Sequence, residues 1–377
     1  MSNLHLASLT ALALLASCLA PSRSMDTDAA SAPKPAPRFS SEEGPLRIAL
    51  AGLVHQHAEG LLWNASRRDD LEIVGVFERD VALFDRLAAK HGLDASLRHD
   101  DLAEMLDRTR PEAVSVMTSI ADHLATIEEC APRGVHALVE KPLAFSRSDA
   151  ERIADLAAEH GVLVLTNYET SWYPSVREAA RLVRSGELAP LRRMVFRHGH
   201  SGPIEIGCYR EFTDWLTDPD ENGGGALVDF GCYGVLLATW LRGGERPLRV
   251  VAAARSLEPE VYGEVDDDAT IVLEYEDATA VVQASWQWTH DVKEMDLFTE
   301  AGSLHVGRGS ALSVRKPDAD AEDVDAPALE GALADEWTYL REVVRGRCAV
   351  DRLSSLELNV VVVEVLEEAL RDARRAR

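Results

Sequence analysis

Two stretches far apart in the chain carry side chains that together are suited to deprotonating an alcohol. The first is Gly134-Val-His-Ala-Leu-Val-Glu-Lys-Pro-Leu143, where a short apolar run ends on Glu140 and Lys141 and is stopped by Pro142. A proline pushes the residue before it away from helical dihedrals, so Lys141 is expected to stay extended at a strand's end. In an open parallel sheet that edge faces the ligand crevice. The second stretch is Asn222-Gly-Gly-Gly-Ala-Leu-Val-Asp-Phe-Gly-Cys-Tyr233. Asp229 and Tyr233 are four apart, which on one helix sets them on one face a turn apart. An ammonium beside a phenol stabilises the phenolate and lowers its pKa, as a general base for an alcohol requires. Each stretch alone has a plain structural reading: a surface lysine beside a glutamate, and a helix-opening aspartate with a core tyrosine. Their joint presence is what points to chemistry.

Such residues need a frame that brings them together. At 377 residues, 46% of them apolar, the chain is long enough for two domains. Residues 47–51 read as a strand, Gly52 as a turn and residues 54–67 as a helix, a unit that can seat a pyrophosphate at a helix amino terminus. The glycine fingerprint is degenerate: at its spacing the chain reads Ala49-Leu-Ala-Gly-Leu-Val54, with Gly52 at an intervening position. A second strand, 71–77, ends at Glu78, where such folds hold the adenosine ribose. A carboxylate there favours NAD over NADP, and Arg79 beside it keeps NADP as the alternative. Helices at 81–90 and 102–108, a strand 113–117 leading to Thr118, Ser119 and His123, a helix at 125–130, the strand to Glu140, a helix at 149–160 capped by Ser148 and a strand 162–165 complete a doubly wound parallel sheet. This gives a dinucleotide-binding Rossmann domain over 46–166, with Gly52, Leu53, Val54, His57, Glu78, Thr118, Ser119, His123 and Glu140 as cofactor-side candidates.

Beyond Tyr168 the rhythm changes to long alternating runs at 191–200, 249–256, 268–275, 279–288 and 294–298, which predict a large, open, mostly antiparallel sheet in an α/β domain over 167–377. Helices are expected at 174–185, 335–345 and 353–374, and the acidic stretch 318–325 reads as solvated surface. His198 and His200 share one face of a strand, and with Trp172 and Trp215 they are candidates for reading a sugar's hydroxyls and ring face. No third ligand stands at a recognisable spacing, so no metal is expected. His55-Gln-His57 reads as part of the cofactor loop.

Net charge is -25, from 64 acidic against 39 basic side chains. That balance disfavours nucleic acid and anionic lipid as partners and suits small neutral substrates. Five scattered cysteines form no zinc or redox motif. Residues 1–45 read as a leader and linker: an apolar run at 6–16 ends in Leu15-Ala-Ser-Cys18, which resembles a lipobox, and a stretch rich in Ala, Pro and Ser follows. Residues 1–5 lack Lys and Arg, and Met25 is an alternative start. The expectation is an exported envelope lipoprotein held to the membrane only by its lipid, with a cytoplasmic protein as the alternative.

The Glu140-Lys141-Pro142 and Gly-Gly-Gly-x-Leu-x-Asp229-x-Gly231-x-Tyr233 motifs, in this order, resemble the Gfo/Idh/MocA oxidoreductase family over nearly the whole chain after the leader. The resemblance implies a Rossmann domain, a carboxyl-terminal α/β domain with an open sheet, and NAD(P)-dependent hydride transfer at a sugar or polyol carbon. It makes Lys141 the catalytic lysine and Asp229 its orienting carboxylate. Tyr233 stands where the acid/base is usually histidine, as in the glucose-fructose oxidoreductase and dihydrodiol dehydrogenase branches, and His57 and His123 match histidines near the cofactor. The chain departs from the family in its glycine-poor first loop and in Leu236, where many members have aspartate. Two alternatives stand beside a dehydrogenase of a secondary alcohol: a hydrolase or lyase that cleaves glycosides by transient oxidation with retained NAD, and a non-catalytic cofactor-bound binding protein. The exposed sheet face also predicts a homo-oligomer.

Overall fold

A computed structural model describes residues 37–41 and 43–375. The leader, the proposed lipobox and Met25 lie outside them. Strands β1 (Leu46–Ala51), β2 (Leu71–Phe77), β3 (Arg98–His99), β4 (Ala113–Val116), β5 (His136–Glu140) and β6 (Val164–Asn167) form a parallel sheet in the order β3-β2-β1-β4-β5-β6. The order reverses between β1 and β4, the switch point at which such sheets bind ligands. β4 and β5 are buried along their whole length, as expected of strands with helices on both faces. Those helices are α1 (Ala58–Ala65), α2 (Val81–His91), α3 (Leu102–Thr109), α4 (His123–Cys130) and α5 (Arg147–His160). Two details differ from the sequence reading. Residues 52–57 are a turn, so α1 opens at Ala58, and α5 is capped by Ser146, whose hydroxyl accepts from Asp149 N–H.

Next come α6 (Pro174–Arg184), β7 (Leu191–Gly199), α7 (Arg210–Leu216), α8 (Pro219–Asn222), α9 (Ala226–Asp229) and α10 (Gly231–Leu241). The chain continues through β8 (Arg249–Arg255), α11 (Pro259–Tyr262), β9 (Asp268–Glu274), β10 (Thr279–Ser285), β11 (Val292–Thr299), β12 (Gly302–Val306), β13 (Leu312–Arg315), β14 (Ala321–Asp323), α12 (Glu336–Val344) and α13 (Leu356–Arg375). The eight strands from β7 onward form one sheet, ordered β14-β13-β12-β11-β7-β10-β9-β8, antiparallel except where β10 runs parallel to β7. β9 alternates buried and half-buried residues along its length. Its buried face meets α9 and α10, and α10 in turn packs on α13. β12 to β14 were not anticipated. The acidic stretch expected as solvated surface is exposed except at half-buried Val324, and Ala321–Asp323 pairs with β13 as an edge strand.

One local break decides where the chemistry sits. Asp229 ends α9 and Tyr233 lies in α10, with Phe230 at the corner and a bend of 60° between the helical segments. The two residues therefore do not share one helix face, as their spacing suggested. Glycines allow the corner to sit flush on the sheet: a Cβ at Gly225 would fall 1.8 Å from the Asp266 carbonyl oxygen, and one at Gly234 2.5 Å from Val282 Cγ1.

Candidate active site

Lys141 reaches from the end of β5 across to α9. Its ammonium forms an ion pair with Asp229 Oδ1 and donates to the Asp229 carbonyl at 3.1 Å. Trp286 Nε1 holds the other carboxylate oxygen at 3.0 Å. All three side chains are buried. Burial alone would neutralise the pair, but mutual attraction outweighs it. The Asp229 carboxyl is held down to about 2 and the Lys141 ammonium above its usual range.

The ammonium lies 5.3 Å from the centre of the Tyr233 ring, and Lys293 on β11 lies 5.6 Å from it. Lys293 is paired with Glu169, which also takes Tyr173 O–H and Arg308. Tyr233 packs edge-on to Tyr168, and no group among the described residues hydrogen-bonds its hydroxyl. Its pKa moves opposite to the sequence expectation. Burial first, then the Glu169, Cys232, Asp229 and Glu140 groups, hold it well above the ordinary tyrosine value. Each flanking ammonium already has its own carboxylate, so little positive charge is left to stabilise a phenolate. At rest Tyr233 is a phenol, a proton donor.

On the other side of Lys141 lies the turn after β1. Gly52 has φ +81°, and a Cβ there would sit 3.0 Å from Thr118 Cγ2 and 3.1 Å from the Met117 carbonyl oxygen. It is thus the tight-turn glycine, and the fingerprint begins with it as Gly52-Leu-Val-His-Gln-His57; Ala49 and Ala51 belong inside β1. Val54 and His57 then occupy the later glycine positions. Leu53 N–H and Asp80 N–H each donate at 2.8 Å to one oxygen of buried Glu78, whose pKa burial raises. α1 has no side-chain cap, which leaves its amino terminus suited to an anion. Beside this turn a cavity of about 260 Å³ is lined by Phe77, Arg79, Thr118, Asp122 and Thr126. A positive-φ glycine that cannot carry a side chain, an uncapped helix start, a buried carboxylate at the end of β2 and an adjoining cavity fit a dinucleotide.

Residues from the second domain fasten this turn. Tyr209 O–H donates to the Leu53 and His55 carbonyls at 2.7 and 2.6 Å, and Tyr209 N–H to Gln56 at 3.0 Å. Arg86 on α2 and Glu211 on α7 add a two-pronged ion pair. Trp215 takes part as well: its Nε1 donates to the Val54 carbonyl at 3.3 Å and its ring packs on Phe212. It therefore braces the turn.

A cavity of about 320 Å³ between the turn and the corner is lined by His57, Lys141, His200, Phe230, Tyr233 and Lys293, among others. Of the four substrate candidates only His200 lies on its wall, with Nδ1 accepting from Gly202 N–H at 2.9 Å. His198 is buried behind the Tyr233 ring, 5.5 Å away, and burial holds it neutral with a pKa of about 3. Trp172 packs on Tyr339 and donates to Asn167. His123 is buried beneath the turn after Lys141, with Nδ1 3.1 Å from the Leu143 carbonyl. Ser119 donates to Glu221 at 2.6 Å.

His55, His57 and Glu140 bring ligand-type atoms within 4.8 Å of one another. His55 Nδ1 accepts His57 N–H at 3.2 Å, so the proton of its neutral ring is on Nε2. His57 Nδ1 turns to Glu140 Oε2 at 3.0 Å, so two of these three side chains are paired with each other. Lys293, Glu169, Trp286 and Tyr209 escaped the sequence reading. Each reaches the site through long-range pairing that no local motif announces.

Two family models match the chain: an oxidoreductase family with NAD-binding Rossmann fold over residues 46–168, and a GFO/IDH/MocA C-terminal domain over 176–305. The chain is 34% identical over 164 residues to a dTDP-3,4-didehydro-2,6-dideoxy-alpha-D-glucose 3-reductase of Streptomyces antibioticus, which covers 44% of this chain and 47% of the relative. It is 25% identical over 229 residues to trans-1,2-dihydrobenzene-1,2-diol dehydrogenase of Bos taurus, covering 60% and 63%. The chain thus spans less than two thirds of either curated relative. An inositol dehydrogenase homologue of Azotobacter vinelandii, solved with NAD+, shares the fold with a TM-score of 0.76 at 21% identity, over 90% of this chain and 97% of that one. An aldose-aldose oxidoreductase of Caulobacter crescentus does so with 0.73 at 22% identity, over 88% and 98%.

Proposed function

The chain belongs to the Gfo/Idh/MocA oxidoreductase family, and from that premise we propose that it transfers a hydride between nicotinamide and a secondary alcohol of a sugar, polyol or glycoside. The observation that carries this reading is the convergence of Lys141, Asp229 and Tyr233 on one cavity that adjoins the dinucleotide turn. Bound NAD would supply the hydride acceptor, held at the Gly52 turn and Glu78. Lys141 presents a fixed positive charge to the oxygen on which negative charge develops, and Asp229 and Trp286 hold it in place. Tyr233 shares its proton with that oxygen and, being a phenol at rest, is set to donate it when a carbonyl is reduced. At about 320 Å³ the cavity suits one sugar ring better than a polymer.

The test is absorbance of NADH with a panel of sugars, polyols and glycosides, after the purified protein is checked for bound nucleotide. Net NADH formation with a polyol supports the reading. Release of an aglycone without net NADH assigns the chain to transient-oxidation glycoside cleavage instead, and bound nucleotide with neither outcome makes it a binding protein. Cofactor choice follows from the end of β2: NAD is expected to bind several-fold tighter than NADP, since Glu78 repels a 2'-phosphate. Arg79 lines the neighbouring cavity, so Arg79→Ala should weaken NADP further and leave NAD unchanged. Calorimetric titration decides it, and equal affinities in the wild type would mean that Arg79 reads the ribose.

A further inference from the structure

The cavity contains a second proton-handling pair. His57 Nδ1 lies 3.0 Å from Glu140 Oε2, and the pair is asymmetric: the His57 side chain is 47% exposed and that of Glu140 only 3%. Glu140 is held from behind, by Asn167 Nδ2 at 3.4 Å, itself held by Trp172 Nε1 at 3.0 Å. A buried carboxylate at one ring nitrogen keeps the proton there and leaves the other, Nε2, as the acceptor. His57 lines the same cavity as Lys141 and Tyr233 and is half exposed, so its ring stands between that cavity and solvent.

The other candidate acceptors are engaged or closed off. Asp229 is taken by Lys141 and Trp286, Glu169 by Lys293, Asp291 by Arg308, His55 Nδ1 by His57 N–H, and His200 Nδ1 by Gly202 N–H. His198 is sealed behind the Tyr233 ring. The charged and titratable groups facing the pair include Lys141 at the end of β5, His55 on the turn, His123 from α4, Tyr168 after β6, Asp229 from α9, Tyr233 from α10 and Glu336 from α12. Tyr233 is buried, no group among the described residues hydrogen-bonds its hydroxyl, and the residue lines the cavity that it shares with His57.

We propose that His57, oriented by Glu140, is the proton relay of this site, passing the reaction's proton between Tyr233 and bulk solvent. The inference rests on the hydride-transfer reading above. Oxidation of an alcohol releases one hydride, taken by nicotinamide, and one proton. The substrate O–H bond breaks toward Tyr233 while the tyrosine's own proton leaves through cavity solvent to His57 Nε2. His57 then gives it to bulk water, and reduction runs the same path backward.

Two measurements test this. Long-range proton–nitrogen spectra of the nucleotide-free protein, assigned against His57→Gln, should show His57 as the Nδ1–H tautomer at pH 8; the Nε2–H tautomer overturns the proposal. In turnover, His57→Gln should lower kcat by about 10-fold or more and remove the acid limb of kcat against pH. NAD affinity, read by tryptophan fluorescence, should stay within about threefold, and imidazole should restore part of the rate to His57→Ala. Unchanged kcat with the limb intact overturns the relay, as does a loss of NAD affinity with no change in pH profile, which would make His57 a cofactor contact. A wild type that forms no NADH with any alcohol counts against the function proposed above, and the tautomer still decides the pair.

Discussion

At the residue scale the site is a set of buried charges, each held by a named partner, and its behaviour follows from those pairings. Tyr233→Phe removes the proton carrier but keeps the ring packing, and is expected to lower kcat by about 10²-fold with NAD affinity little changed. Lys141→Ala should cost at least as much, and the double variant less than the product of the two, since both serve one proton transfer. Near-normal turnover in Tyr233→Phe, with His200→Ala inactive, would move the acid/base role to His200. The same pairings set the response to acid. Asp229, Glu140 and Glu169 are held at about 2, so they stabilise the fold above the unfolded carboxyl range of 3.8 to 4.5. That stability is lost as pH falls toward 2. His123 and His198, buried neutral with pKa values of about 4 and 3, bind protons in the unfolded chain from 6.5 downward, before the folded chain does. The urea midpoint should therefore start to decline below about pH 6.5 and fall more steeply below about 4.5. A midpoint flat from pH 7 to 5 would show that the two histidines are not buried neutral.

At the element scale, what could be read locally and what could not divide along physical lines. The end of β5 was legible because a proline punctuates an apolar run, and the parallel sheet because strand and helix signals alternate. The break at Phe230, where residues 219–229 meet α10 at 60°, was not. Residues 226–241 satisfy a helical pattern throughout, and only the close approach to β9 and β10 reveals that the glycines are packing devices. Trp172 and Trp215 were misplaced for a related reason: an indole's partner is fixed by tertiary contact, and here the partners are Asn167 and Val54. Gly234 tests this directly. Because an added Cβ would meet Val282 at 2.5 Å, Gly234→Ala should destabilise the fold by roughly 1–3 kcal/mol and shift Tyr233, lowering kcat as well. Denaturant unfolding checks it. A neutral substitution would mean that α10 can lift off β10 freely.

At the scale of the whole molecule, the site draws on both sheets: Lys141 follows the end of β5, Lys293 stands on β11, and Asp229 and Tyr233 come from the helices α9 and α10 packed on that second sheet. Among the described residues no single helix is long and apolar enough to cross a membrane. With Cys18 as a lipidated residue, Cys18→Ala should lose both its membrane-fraction signal and its lipid mass shift. A wild type without the mass shift would instead favour the shorter start at Met25. The clasp that Tyr209 places on the Leu53 and His55 carbonyls also bears on how freely such proteins exchange parts. In a chimera, the nucleotide domain of a relative would meet a tyrosine shaped for a different turn, while this chain's own nucleotide domain, moved elsewhere, would leave its carbonyls unclasped. The transplantable unit is therefore the nucleotide domain together with the 209–215 segment.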